Sequence, residues 1–161
     1  MEKDAALRQQ LIALLKGGNA HASFEDALED FPADARGKRP HGAPHSPWEE
    51  LEHLRIAQWD ILEFSRDPNH RSPKFPDGYW PKAPEPPNDA AWDRSVHAFT
   101  QDMQSLCALV ADESTDLYAR IPHGTGQTVL REALLAADHN AYHLGQLVLL
   151  RRILGAWKST S

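Results

Sequence analysis

The segment from Thr128 to about Trp157, TVLREALLAADHNAYHLGQLVLLRRILGAW, carries apolar residues around most of a helical circumference. A helix with so little polar surface has to be enclosed by other elements, so the pattern predicts a central helix with partners long enough to cover it. The rest of the chain repeats the helical period. Leu7, Leu11 and Leu14 are spaced by four and three before Gly17 and Gly18, which predicts a helix over about residues 3–16. Trp92, Val96, Phe99, Met103, Leu106 and Val110 form a seam with spacings of four, three, four, three and four.

The clearest helix start is in SPWEELEHLRIAQWDILEFSRDP. Ser46 is a good N-cap, Pro47 suits the first helical position, and Glu49 completes a capping box, so this helix should run to about Arg66. Ser23 with Asp26 starts a short connecting helix through Phe24, Ala27 and Leu28 that Pro32 stops. Strand alternation and internal repeats are both absent. Four long helices joined in this way argue for an all-α fold, a four-helix bundle packed through heptad-like seams.

At 161 residues the chain is about one domain long, and residues 1–161 are expected to form a single domain with its own core. Its net charge of -6 comes from scattered acids and bases, with no basic stripe to meet phosphates, so nucleic acid is not an expected partner. The start, MEKDAALRQQLIALLKGG, carries acids and lacks a long apolar run. No stretch approaches the roughly 20 apolar residues of a membrane span, so no membrane partner and a cytoplasmic location are expected. The lone cysteine, Cys107, lies on an apolar helical pattern and is read as a packed core residue.

One segment does not fit a bundle with short turns. RDPNHRSPKFPDGYWPKAPEPPND, residues 66–89, holds seven of the 12 prolines. Loops this long are uncommon in compact domains unless they are functional or disordered. Phe75, Tyr79 and Trp80 favour an ordered loop packed on the bundle, either as a surface wrap or as a lid.

Within the last helix, His139 and His143 are one turn apart on a stripe with Ala136, Leu147, Leu150 and Leu154. Two imidazoles on an apolar stripe need partners for their ring nitrogens, and a metal ion can take both lone pairs. The spacing alone is weak, because such pairs arise by chance and a buried histidine is usually hydrogen-bonded to a neighbour. A third imidazole is available from the earlier helix, where His53 shares a stripe with Ala57, Ile61 and Phe64. Three protein ligands with an open position are the arrangement of a catalytic metal site, and one cysteine excludes a closed thiolate site.

WEELEHLRIAQWDIL followed by REALLAADHNAYHLGQLVLLRRILGAW strongly resembles the DinB-like superfamily, which includes YfiT-like metal-dependent hydrolases and thiol-dependent transferases. The likeness extends over nearly the whole chain, with the first helix, the GYWP loop and RIPHGTGQT in the expected order. The resemblance implies an up-down-down-up four-helix bundle and a divalent metal held by His53, His139 and His143, and three imidazoles suit zinc, nickel, iron or copper. It further implies activation of a low-molecular-weight thiol for transfer to a small electrophile. A hydrolase acting through water on the metal, and a metal-binding stress-related protein without turnover, are the alternatives. A small-molecule substrate and a homodimer follow from the same likeness.

Other residues are weaker candidates. Asp60, seven after His53, could orient a ligand or hold a substrate proton, or be a solvated helix charge. Glu50 makes an E-x-x-H pattern, but a di-iron centre would need a second such pair, so Glu50 is read as a surface residue or a support behind a ligand. His123 could approach a site from its Gly-rich turn or cap the following helix, and His21 is similar. His41, His45, His70 and His97 lack partners at ligand spacing and are expected on the exposed surface.

Overall fold

The computed structural model describes residues 2–157. Among these the chain forms five α-helices and no strand: α1 (Glu2–Lys16), α2 (Phe24–Leu28), α3 (Pro47–Arg66), α4 (Asp89–Ala111) and α5 (Val129–Ile153). An isolated bridge joins Arg120 to Thr128 just before α5. The starts of α2 and α3 carry the capping boxes the sequence predicts, with Ser23 and Ser46 each accepting from a backbone N–H three residues on. Asn88 and Thr128 cap α4 and α5 in the same way.

α3 packs between α4 and α5, while α1 closes the far side against α4 and α5. Two apolar clusters divide the interior along its length. One joins Leu11 and Leu15 of α1 to Leu62, Leu106, Val110, Ala133 and Ala136. The other joins Phe24, Trp48, Leu51, Trp92, Phe99, Leu144 and Leu147. Cys107 is buried within the first cluster, as its apolar pattern predicts. Its neighbours are aliphatic, and burial raises the pKa of its thiol.

Helix ends inside such a core leave carbonyls without intrahelical partners. Two buried arginines satisfy them. The Arg8 guanidinium donates to the carbonyls of Val110, Asp112 and Thr115 where α4 ends. The Arg151 guanidinium, 1% exposed, donates to Ala27 and Glu29 at the end of α2 and to Ala156 beyond its own helix. α5 stops at Ile153, not near Trp157. Gly155 takes the left-handed φ of 69°, and the N–H groups of Gly155 and Ala156 turn back to the carbonyls of Arg152 and Arg151.

The chain between α3 and α4 contains a single 3-10 turn, Asp77–Tyr79, which lies against α3. Its later part packs on the segment leading into α3: the Ser46 hydroxyl donates to the Pro84 carbonyl, and Glu85 lies so close to Gly37 that a Cβ there would clash with it. No helix of the described chain is long and apolar enough to cross a membrane.

The arginine at the α2 end yields a direct prediction. Arg151→Ala should lower unfolding stability by about 2–4 kcal/mol, because several buried carbonyls lose their donor together. Urea denaturation measures this, and a loss below about 0.5 kcal/mol, the range of ordinary surface changes, would contradict it.

Candidate metal centre

α3 and α5 meet along the stripes that carry the histidines. His53 lies two turns into α3, fixed in register by the Ser46 cap, and is 6% exposed. His139 and His143 face it from successive turns of α5. One ligand atom from each of the three rings lies within 4.8 Å of the other two, and His139 Nε2 is 3.0 Å from His53 Nε2.

Two of the rings are held from behind. His53 Nδ1 donates to the Tyr79 carbonyl at 2.9 Å, and His143 Nδ1 donates to Glu50 Oε2 at 2.7 Å. With the proton fixed on Nδ1, each Nε2 presents a bare lone pair, the form in which imidazole binds a metal. Burial lowers the pKa of His53, with the charges of His143 and His45 adding to the effect, while the Tyr79 bond opposes it. Burial, with His143 and His53 close by, pushes His139 down to about 4. Both rings are therefore neutral at pH 7, which suits a cation between them and not a shared extra proton.

The Pro-rich loop forms the third wall. The Trp80 ring stacks on His53 at 4.0 Å with only 3° between the planes, and His45 stacks on its opposite face at 3.9 Å. Ala57, Ile61, Leu135, Phe75 and Tyr79 complete a cavity of about 360 Å³ around the imidazoles. Its lining is chiefly apolar, as in small-molecule sites generally.

Asp60 also lines this cavity, but both its oxygens are engaged by the loop. Oδ1 accepts from His70 Nε2 at 2.7 Å and Oδ2 from the Tyr79 hydroxyl at 2.5 Å. Burial and Asp60 together hold the Tyr79 phenol well above its ordinary pKa. Asp60 is thus neither a solvated helix charge nor a free acceptor.

Two of the histidines expected on the surface are not there. The His70 side chain is only 6% exposed, because the loop folds it back onto Asp60 and Trp59. His45 is half-buried against Trp80. His41 and His97 are exposed, as expected. His123 bonds the Phe64 carbonyl at 2.7 Å near the end of α3 and does not line the cavity. His21 is exposed and bonds the neighbouring Ala22 carbonyl. Glu50, 3% exposed, is the carboxylate behind His143.

Residues 18–147 match the DinB superfamily, more than half of the chain. The chain belongs to the DinB superfamily. The matched span includes α3, the Pro-rich loop and α5 through both of its histidines, so the three imidazoles of this DinB-superfamily protein lie inside it. α1 lies outside the match. No curated protein and no solved structure matches the chain.

The depressed histidines have a consequence for the metal-free protein. A histidine whose folded pKa lies below its unfolded value contributes fully above the unfolded pKa and loses ground as protons bind the unfolded chain. Stability should therefore be level above about pH 6.5 and fall between that value and about pH 4 through His139. Urea midpoints across this range should slope less in His139→Leu than in wild type. Equal slopes would contradict the neutral, buried state of His139.

Proposed function

We propose that this DinB-superfamily protein is a metal-dependent enzyme that activates a low-molecular-weight thiol and transfers it to a small electrophile. The observation that carries the reading is the convergence of three imidazoles, two with Nδ1 already engaged, on an apolar cavity. His53, His139 and His143 would hold a divalent ion through Nε2, leaving at least one position without a protein ligand. Three imidazoles suit zinc, nickel or iron. When bound, such an ion supplies Lewis acidity that lowers the pKa of a thiol reaching it.

The chain's own residues supply the rest. Ala57, Ile61 and Leu135 give the cavity an apolar wall, which would favour an electrophile with an apolar body. The Tyr79 carbonyl and the Glu50 carboxylate keep the ligand rings in orientation. Because Asp60 is engaged on both oxygens, the cavity presents no free carboxylate base, which favours a nucleophile that ionises at the metal.

The reading includes the up-down-down-up bundle of the superfamily and a small-molecule substrate. It also includes a homodimer, for which the exposed Tyr142, Leu149 and Ile153 of α5 offer an apolar face.

The experiment pairs elemental analysis of protein purified without a nickel column with thiol consumption in the presence of 1-chloro-2,4-dinitrobenzene. Wild type should carry about one divalent ion per chain and consume thiol. His143→Ala should lose both, and Glu50→Gln should weaken metal affinity about ten- to hundredfold. Stoichiometric metal without turnover across a panel of cellular thiols would favour a non-catalytic metal protein. Absence of metal after reconstitution would overturn the proposal.

A further inference from the structure

Tyr79 touches the centre twice, through two different atoms. Its backbone carbonyl accepts from His53 Nδ1 at 2.9 Å, and its hydroxyl donates to Asp60 Oδ2 at 2.5 Å. Asp60 lies two turns beyond His53 on α3, so one rigid helix carries both attachment points. The second Asp60 oxygen is occupied by His70 from the start of the same loop. The loop is therefore clamped to α3 at residues 70 and 79, with the carbonyl behind His53 immediately beside the second clamp.

A backbone carbonyl in a loop is a poor fixed point unless the loop itself is held. Here the residue bearing it is anchored through its hydroxyl, which donates to the Asp60 carboxylate and is also bonded by Ser72 within the loop itself, so Asp60 is the anchor that ties it to α3, with Trp80 stacked on the imidazole next to it. Without that anchor, the His53 ring would keep its place on the helix but lose the acceptor that decides which nitrogen carries the proton.

We propose that Asp60 is a positioning residue for the metal centre, acting through the Tyr79 hydroxyl to hold the Tyr79 carbonyl on His53 Nδ1 and so to keep Nε2 bare toward the cavity. His70 shares the load by fixing the other carboxylate oxygen. The role explains why a partly buried aspartate lines an apolar cavity with both of its oxygens already engaged. The tautomer claim stands on the geometry alone; only its effect on metal affinity rests on the proposed metal-binding role.

The test reads the tautomer directly. Long-range proton–nitrogen NMR on the metal-free full-length chain should show His53 protonated on Nδ1 in wild type. In Tyr79→Phe, which removes only the hydroxyl, and in Asp60→Ala, the signals should shift toward a mixture of tautomers. Asp60→Asn, which keeps an acceptor for the phenol, should stay close to wild type. In zinc titrations Tyr79→Phe and Asp60→Ala should each lose about tenfold or more in affinity. The double variant should lose no more than the larger single loss, because both changes cut one chain of contacts.

An Nε2-protonated His53 in wild type, or an unchanged Nδ1 tautomer in both Tyr79→Phe and Asp60→Ala, would overturn the proposal. So would wild-type zinc affinity in both variants. A wild type that binds no zinc but shows the tautomer response would instead defeat the metal reading and leave the positioning role standing.

Discussion

Everything at the centre depends on bringing three imidazoles together in a largely apolar setting, with burial holding His53 and His139 neutral and an acceptor placed behind His53 and His143. A buried ring with an unmet donor costs about 1–3 kcal/mol, and a charged one without a partner costs more. The protein meets this from two directions. Glu50, three residues before His53 on α3, receives the His143 proton across the helix interface, and the Tyr79 carbonyl receives that of His53. His53 Nε2 is thereby left facing His139 Nε2 at 3.0 Å, a separation met either by the single N–H of a neutral His139 or by a cation between the rings.

The architecture follows from that arrangement. α3 and α5 form the most extensive helix pair, and they have to be long because the centre occupies only the middle of each. The clusters at either end of the bundle set their separation, with small residues such as Ala57 and Ala136 allowing close approach near the histidines. The loop between α3 and α4 then closes the side that no helix covers, through Trp80 and Tyr79. Its many prolines suit this task, since a segment held in place by a few contacts loses less entropy on ordering when its backbone is already restricted.

The helices and the three-histidine cluster were legible because their signals are local. The caps at Ser23 and Ser46 sit within a few residues of what they cap, and His139 and His143 reveal their shared face by spacing alone. His53 could be added because its neighbours Ala57 and Ile61 repeat the same period. The end of α5 was less legible, because apolar residues continue past Ile153 and the left-handed Gly155 had to outweigh them. What supports the histidines was largely hidden. The group behind His53 is a backbone carbonyl 26 residues away, which carries no residue-type signature. His45 and His70 had no partner at helical spacing because their partners, Trp80 and Asp60, are brought to them by the loop fold. Aromatic and ionisable residues concentrated in an otherwise proline-rich segment were the one available hint.

The most direct test of the account is X-ray absorption at the metal edge on protein loaded with one equivalent of zinc. The account predicts a first shell containing three imidazole nitrogens at about 2.0–2.1 Å, with the outer-ring scattering of histidine and at least one further light atom. A shell dominated by sulfur or by carboxylate oxygens, or one with fewer than three imidazoles, would contradict the assignment of the centre to His53, His139 and His143.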